Sequence, residues 1–302
     1  MDEDVEYIRK CLPDILPSGL LDICLRYLRV YPDMSEIRIR KGMRISFTVS
    51  DANIDTGYVC DEATFDMCLA RWIGDSKYKY ADSILHGVIP LSHGFRVGIA
   101  GKALIDDGNI KNIYDLTSLT VRLPRRYKGC SGDIYEHLIR LPKYKRSLLI
   151  ASPPCGGKTT ILRDLAYKLS TPPVSERVCV VDTRCELVFS DSVGTHMDVF
   201  KGYPIEMGIE IATKYFNPQC IVCDEIGSQR EVRSILDAAN SGVPLIATVH
   251  SPSLSDLVLK NNIRTLLEKS VFYNVAILRL GNKKMSITIH GSDDIKGALE
   301  DI

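Results

Sequence analysis

A glycine-rich turn near the middle of the chain carries the residue types that bind phosphate groups. Residues 152–159 read SPPCGGKT and lie between an apolar run that predicts a strand and a segment that predicts a helix. This order fits the pattern GxxxxGK[ST], in which backbone N–H groups turn inward around phosphate oxygens and the helix terminus adds positive potential. Gly156 and Gly157 permit that turn. Ser152 replaces the first glycine of the pattern, and a serine fits there only if its φ is negative.

The residues after the glycines predict a site for ATP and Mg²⁺. We expect Lys158 to reach the β- and γ-phosphates and the Thr159 hydroxyl to coordinate Mg²⁺. A strand–turn–helix connection without function is the alternative, but the placement of the motif favours the phosphate site. The predicted nucleotide-binding residues are Pro154, Cys155, Gly156, Gly157, Lys158, Thr159 and Thr160.

A second apolar segment ends in two acids. Residues 220–225 read CIVCDE, and a strand of an open α/β sheet delivers its carboxyl end to the edge where ligands bind. We expect Asp224 to hold Mg²⁺, through water, and Glu225 to orient or deprotonate the attacking water. Many strands end in acids, so this pattern gains its meaning from the phosphate-binding motif that precedes it.

A third segment, residues 180–186 (VVDTRCE), also ends in charged residues. Asp182, Arg184 and Glu186 should emerge at the same edge of the sheet as the acids of the second segment. Glu186 therefore competes with Glu225 for the role of catalytic base. The alternative is a solvated loop with a local ion pair.

A histidine closes the fourth segment. Residues 245–250 read LIATVH, and we expect His250 to sense the γ-phosphate through a hydrogen bond. A single histidine after a strand is often no more than a loop residue. Its place in this ordered series favours a functional role.

The elements around these segments suggest two α/β domains, residues 1–120 and 121–302. In the first half, the patterns predict helices at 5–30, interrupted at Pro13 and Pro17, and at 62–73, a hairpin of 36–40 with 44–49, and strands at 94–103 and 118–123 with a turn at 107–108. In the second half, they predict strands at 148–150, 178–182, 220–224, 245–249 and 275–280, and helices at 132–141 and 159–169. Short apolar strands that alternate with helices indicate a mainly parallel sheet.

Composition limits the classes of function. The chain has 302 residues, of which 45% are hydrophobic and 25% charged, and its 38 basic residues balance its 38 acidic ones. A neutral chain argues against a non-specific nucleic-acid coat protein and against disorder. No apolar run approaches the roughly 18–20 residues that cross a bilayer. The first residues, MDED, are acidic where a secretory signal is basic, so we expect a cytoplasmic protein.

Several blocks together resemble one family. The sequence is similar to the stage III sporulation protein AA family, secretion-type ATPases of endospore-forming bacteria. The similar blocks lie at residues 36–40, 93–102, 118–123, 153–160, 162–165, 181–186 and 218–250. Separate blocks in the right order are much more specific than a phosphate-binding loop alone.

The resemblance implies a small α/β N-terminal domain joined to a RecA-like P-loop ATPase domain, as in the ATPases of type II and type IV secretion and pilus machines. Such ATPases usually form hexameric rings. The resemblance further implies a motor or assembly ATPase for a channel between mother cell and forespore. The protein would lie in the mother-cell cytoplasm and associate peripherally with the membrane through the membrane proteins of that complex.

The resemblance also points to arginines of the N-terminal domain, which in such rings often reach ATP held by a neighbouring domain. Arg96 is the first candidate, and Arg122, Arg125 and Arg126 are further ones. A guanidinium at the γ-phosphate stabilises the charge that develops during transfer. The alternative is that these arginines form ion pairs within their own domain or belong to a solvated linker.

Two other functions compete with a secretion motor. The basic run at residues 122–128 could serve a nucleic-acid-stimulated ATPase, although it has a single aromatic partner, Tyr127. An ATP-binding scaffold with little hydrolysis is the other alternative. It draws on three departures from the family pattern, which are Ser152, Thr183 and His196.

Overall fold

The computed structural model describes residues 2–50, 52–74, 81–125, 127–189, 192–281 and 284–301. The chain forms two compact units, Met1–Arg126 and Tyr127–Ile302. The sequence placed the boundary at residue 120. In the structure, a long strand that runs to Arg122 belongs to the first unit, and the contacts of that unit extend four residues further.

The first unit contains helices and an antiparallel sheet. Its helices are α1 (Asp2–Ile15), α2 (Ser18–Val30), α3 (Glu62–Ile73) and α4 (Ala81–Leu85). Its strands are β1 (Met34–Arg40), β2 (Arg44–Val49), β3 (Ala52–Val59), β4 (Val88–Pro90), β5 (Arg96–Asp106) and β6 (Asn109–Arg122). The order across the sheet is β3-β2-β1-β6-β5-β4.

Two predicted hairpins of this unit are confirmed. β1 pairs with β2 in antiparallel register, and β5 pairs with β6. Asp107 and Gly108 connect β5 and β6 with φ angles of 49° and 74°. Two consecutive positive φ angles match the type I′ turn, whose twist suits a two-residue hairpin. Both strands are longer than predicted, because their ends near the turn are exposed and show no apolar alternation.

The predicted interruption at Pro13 is wrong, because α1 continues through it to Ile15. Pro13 cannot donate the backbone hydrogen bond to Arg9 O and crowds that carbonyl, so contacts from outside α1 must stabilise its last turn. Two side chains of α3 donate hydrogen bonds to carbonyl groups at the end of α1. Arg71 donates to Pro13 O at 2.5 Å, and Trp72 Nε1 donates to Ile15 O at 2.6 Å. The predicted break at Pro17 is confirmed, because α2 begins after it.

The second unit alternates strands and helices. Its strands are β7 (Leu148–Ser152), β8 (Val178–Asp182), β9 (Met197–Lys201), β10 (Cys220–Glu225), β11 (Leu245–His250), β12 (Asn274–Gly281) and β13 (Lys284–His290). Its helices are α5 (Gly132–Arg140), α6 (Lys158–Ser170), α7 (Ile205–Ile211), α8 (Gln229–Asn240), α9 (Leu254–Val258), α10 (Asn261–Glu268) and α11 (Ser292–Glu300).

The sheet of the second unit is mainly parallel, as predicted. Its order is β13-β12-β7-β11-β10-β8-β9, and β13 is the antiparallel strand at one edge. Successive residues of β7 belong to opposite cores, because Leu149 and Ala151 pack on one face while Leu148 and Ile150 pack on the other. A parallel sheet that is buried on both faces explains the continuous apolar runs in the sequence. The fold class predicted from the sequence is therefore confirmed.

The described helices are short. Among them, α1 is 14 residues long, and none has both the length and the apolar character of a membrane-spanning helix. All ten cysteines lie in the described part of the chain and are free thiols.

A buried carboxylate fixes the segment that enters the second unit. Asp164, in α6, accepts hydrogen bonds from Gly129 N at 2.8 Å, Ser131 N at 2.9 Å and Ser131 Oγ at 2.6 Å. Lys168 Nζ lies 3.4 Å from the same carboxylate. Burial raises the pKa of Asp164, but the hydrogen bonds from Ser131 and Gly129 outweigh it and hold that pKa below its ordinary value.

We expect Asp164→Asn to lower the free energy of unfolding by about 1–3 kcal/mol at neutral pH, since hydrogen bonds to a charged group are lost or weakened. A depressed folded-state pKa stabilises the fold above the unfolded value of 3.8, and this contribution disappears as pH falls through the folded value. Denaturant unfolding of the two proteins should therefore differ at pH 7 and converge below pH 4. Asp237→Asn, which changes an exposed carboxylate of α8, is the control. A difference that persists unchanged at low pH would contradict this account.

Candidate nucleotide-binding site

The phosphate-binding turn has the predicted location between β7 and α6. Ser152 is the last residue of β7 and is fully buried, and the left-handed backbone conformations fall later, at Cys155 (φ 59°) and Gly157 (φ 87°). Ser152 therefore meets the requirement of a negative φ. Its hydroxyl donates a hydrogen bond to Pro153 O at 2.8 Å. The serine is thus accommodated in the turn rather than strained.

Close packing inside the turn leaves no room for a side chain at Gly156. A Cβ atom added there would lie 2.3 Å from Ser152 Oγ, 2.6 Å from Ser152 Cβ and 3.0 Å from Pro153 O. Gly157 has a different constraint, because its positive φ disfavours other residues. The turn therefore requires glycine at both positions, for two different reasons.

We expect Gly156→Ala to weaken binding of a fluorescent ATP analogue by about 10- to 100-fold, since relieving such overpacking costs about 1–3 kcal/mol. Titration of the analogue gives the dissociation constants. Gly132→Ala is the matched control, because a Cβ atom at Gly132 meets no other atom within 4 Å. Equal affinity for the Gly156→Ala variant and the unaltered chain would show that the turn does not hold the phosphates.

Lys158 points into the site and has an internal partner. The residue is buried, with 7% of its surface exposed. Its Nζ lies 2.8 Å from His250 Nδ1 and 3.4 Å from Ser152 O. Burial lowers the pKa of Lys158, while the charges of Glu225 and Asp224 raise it and so oppose the shift. The Lys158 ammonium is thus held at the site by His250 and Ser152 rather than by an ion pair with a carboxylate.

His250 connects the lysine to the acid of the neighbouring strand. Its Nε2 lies 3.2 Å from Glu225 Oε1. A protonated Lys158 donates to Nδ1, so the hydrogen-bond network assigns the imidazole proton to Nε2, which donates to the carboxylate. The other carboxylate oxygen, Glu225 Oε2, lies 3.4 Å from an Arg184 guanidinium nitrogen. One connected series of polar contacts therefore links β7, β11, β10 and the turn after β8.

A bulge separates the two adjacent acids of β10. Cys223 pairs with Ala247 of β11, but Glu225 pairs with Thr248, so two residues of β10 face one of β11. Asp224 is buried, and its Oδ1 accepts a hydrogen bond from Thr248 Oγ1 at 3.2 Å. Burial raises the pKa of Asp224 above its ordinary value. The acids therefore have different environments although they are neighbours in sequence.

Asp182 shapes the turn after β8 rather than facing solvent. It is fully buried, and its two carboxylate oxygens accept hydrogen bonds from Glu186 N at 2.7 Å and Val188 N at 3.1 Å. Arg163 of α6 donates to Glu186 O at 2.5 Å and to Leu187 O at 2.8 Å. The backbone at Glu186 is thus fixed from both sides. Its side chain is half-buried at the predicted edge of the sheet.

The predicted nucleotide-binding residues occupy one continuous turn. Pro154 and Cys155 are exposed at its tip, while Thr159 and Thr160 are half-buried in the first turn of α6. A cleft of about 460 Å³ is lined by Glu225, His250 and Lys260, and none of residues 154–160 lines it. The structure therefore places the cleft beside the polar series that begins at the phosphate-binding turn.

The candidate arginines lie in the first unit. Arg96 begins β5 and is paired across the sheet with Arg122, and Arg122 lies 3.7 Å from Glu36. The Arg125 guanidinium donates to Pro32 O at 2.9 Å and to Met34 O at 2.5 Å. Two members of the basic run are thus engaged within their own unit. Arg126 lies outside the described residues.

Sequence reasoning assigned no role to two further residues of the site. Thr248 holds Asp224, and its place on the strand that ends in His250 was the available signal. Lys260 Nζ donates to His250 O, and its charge contributes to the lowered pKa of Lys158. No local pattern marks Lys260, because it reaches the site only through the packing of α9 and α10.

The fold of this chain is similar to the folds of two ATPases of known structure. The structure of the Legionella pneumophila ATPase DotB matches 95% of this chain and 88% of its own, with a TM-score of 0.64 and 13% identity. The pilus retraction motor PilT with bound ADP matches 91% of this chain and 85% of its own, with a TM-score of 0.64 and 14% identity. At these identities the likeness establishes the fold.

The chain belongs to the family described as sporulation stage III, protein AA, whose model matches residues 8–299. Stage III sporulation protein AA of Bacillus subtilis is 26% identical to it over 277 residues, which make up 88% of each protein. The family resemblance predicted from the sequence is confirmed.

Proposed function

We propose that the chain is a Mg²⁺-dependent ATP hydrolase. The observation that carries this proposal is the direct contact of the buried P-loop lysine, Lys158, with His250, which in turn contacts Glu225. A cation for the phosphates and a carboxylate for the attacking water are the parts that phosphoryl transfer to water requires. The P-loop residues 154–160 would surround the phosphates with backbone N–H groups.

The oxygen donors of the site fit Mg²⁺. Within the described residues, no group of three or more His, Cys, Asp or Glu side chains is arranged to hold a metal by itself. Mg²⁺ is usually bound by one or two protein oxygens, with substrate phosphates and water as the other ligands. The Thr159 hydroxyl and the Asp224 carboxylate, which Thr248 orients, would hold it. When bound, Mg²⁺ neutralises negative charge on the phosphates.

Glu225 is the better supported of the two candidate bases. Its carboxylate is held by His250 from β11, the strand that pairs with both β7 and β10. One strand, β11, therefore separates Glu225 from β7, the strand that leads into the P-loop. Glu186 is the alternative base, since it lies at the same edge of the sheet. In this proposal, His250 transmits the presence of the γ-phosphate at Lys158 to Glu225.

We further propose that the hydrolase works as an oligomer, a hexameric ring, that powers or assembles a sporulation channel between mother cell and forespore. Membership of the sporulation family and the secretion-ATPase fold support this role. Membrane proteins of the channel would be its partners and would hold it at the membrane from the mother-cell cytoplasm. Arg96 would act on ATP bound by a neighbouring copy.

The test is the mass and the ATPase rate of the protein across a range of concentrations, with and without ATP and Mg²⁺. We expect hydrolysis to require Mg²⁺ and to rise more steeply than concentration as copies assemble, and Arg96→Ala to remove that rise. A monomer that hydrolyses at its full rate would contradict the oligomeric motor. Binding of ATP without turnover at every concentration would instead identify a scaffold, and stimulation by single-stranded DNA at physiological salt would identify a nucleic-acid motor.

A further inference from the structure

Glu225 is held at both oxygen atoms by side chains from different elements. His250 of β11 contacts Oε1 at 3.2 Å, and Arg184 from the turn after β8 contacts Oε2 at 3.4 Å. β8 and β11 flank β10 on opposite sides. The two contacts therefore approach the carboxylate from either side of its own strand, and together they restrict rotation about its side-chain bonds.

The turn that carries Arg184 is itself well fixed. Asp182 accepts hydrogen bonds from two backbone N–H groups of the turn, and Arg163 donates to two of its carbonyl groups. The Arg163 guanidinium also lies 4.0 Å from the centre of the Phe189 ring. Arg184 thus extends from a defined backbone position toward the end of β10.

We propose that Arg184 is a positioning residue that holds the Glu225 carboxylate in the orientation needed to direct the attacking water. This inference rests on the ATP hydrolysis proposed above. A general base must be oriented toward the water proton that it accepts. A displacement of about 1 Å at a reacting group can reduce the rate about 100-fold. His250 alone fixes one oxygen and leaves the carboxylate free to rotate about that contact. Arg184 supplies the second contact that defines its plane.

If Arg184 served only to stabilise the fold, its loss would lower the melting temperature. The Arg184 side chain is 60% exposed and that of Glu225 is 30% exposed. An ion pair with this exposure contributes little to stability. Loss of Arg184 should therefore leave the melting temperature nearly unchanged while the rate of hydrolysis falls.

The experiment compares Arg184→Ala and Arg184→Lys with the unaltered chain in steady-state hydrolysis and in binding of a non-hydrolysable ATP analogue. We expect Arg184→Ala to lower kcat by about 10- to 100-fold, with KM and the analogue dissociation constant within about threefold. Arg184→Lys keeps the charge without the planar fork, so it should restore part of the rate. Arg233→Ala, at an exposed arginine of α8, is the control and should match the unaltered chain.

A second comparison tests whether Arg184 acts through Glu225. In a single-turnover measurement at high protein concentration, Arg184→Ala should cause little further loss in a Glu225→Gln chain, because groups that act as a unit are not additive. A kcat for Arg184→Ala within twofold of the unaltered value, or a rise in KM with unchanged kcat, would overturn the positioning role while ATP hydrolysis stands. An unaltered chain that does not hydrolyse ATP would overturn both proposals.

Discussion

Lys158→Ala should reduce the affinity for ATP by at least about 100-fold and abolish hydrolysis. A charge-assisted contact to phosphate is worth about twice a neutral hydrogen bond, and this lysine is the cation that the P-loop supplies. Its buried Nζ contacts Ser152 and His250 and is attracted by the charges of Asp224 and Glu225. Equilibrium binding of a fluorescent ATP analogue and a phosphate-release assay measure the two effects.

Two further variants make that measurement specific. Lys158→Met retains most of the side-chain volume without the charge, so it should lose ATP to the same extent if charge, and not packing, is responsible. Lys296→Ala changes an exposed lysine of α11 and should bind ATP normally. Normal hydrolysis by both Lys158 variants would show that the nucleotide site has been assigned to the wrong turn.

Glu225→Gln should bind ATP with nearly unchanged affinity and lose turnover by about 10²- to 10⁴-fold, the range that general base catalysis contributes. Glutamine has the same shape, and its amide oxygen can still accept one hydrogen bond from His250 or Arg184. What disappears is the negative charge that orients water or accepts its proton. The separation between intact binding and lost turnover distinguishes this variant from Lys158→Ala.

Glu186→Gln is the matched comparison, because both glutamates lie at the same edge of the sheet. If Glu225 is the base, Glu186→Gln should retain most of the hydrolysis rate in the same assay. The reverse pattern, a severe loss for Glu186→Gln and a mild one for Glu225→Gln, would transfer the role of base to Glu186. The two variants together therefore decide which acid acts.

The parallel sheet was predictable from the sequence because its strands are buried on both faces and read as continuous apolar runs. Some strands without that property were missed. Seven of the eight residues of β3 have exposed or half-buried side chains, and β9 lies at the edge of its sheet, so neither shows a strong periodic pattern. The helix break predicted at Pro13 was wrong for a different reason. Arg71 and Trp72, nearly 60 residues away in sequence, contact the end of α1.

The site was predictable where each residue follows a strand, because parallel topology brings those strand ends to one edge. Lys158, Glu225 and His250 were placed together on that reasoning. Their contacts were not predictable: Lys158 and His250 are 92 residues apart, and the bulge at Asp224 that separates the two acids has no signature in the sequence. Lys260 contacts His250 because of the way α9 and α10 pack, and the apolar periodicity of the sequence does not specify that packing.

If Lys158 binds phosphate as proposed, its contact with His250 makes nucleotide binding a competition for one ammonium group. An incoming phosphate competes for this ammonium group with an imidazole that is tethered to the same fold and therefore always present at high effective concentration. The affinity for ATP would then reflect the difference between two interactions of one ammonium group, and it would be weaker than the phosphate contact alone would give. In the proposed cycle, the same histidine would contact the lysine again when product leaves, which would favour release.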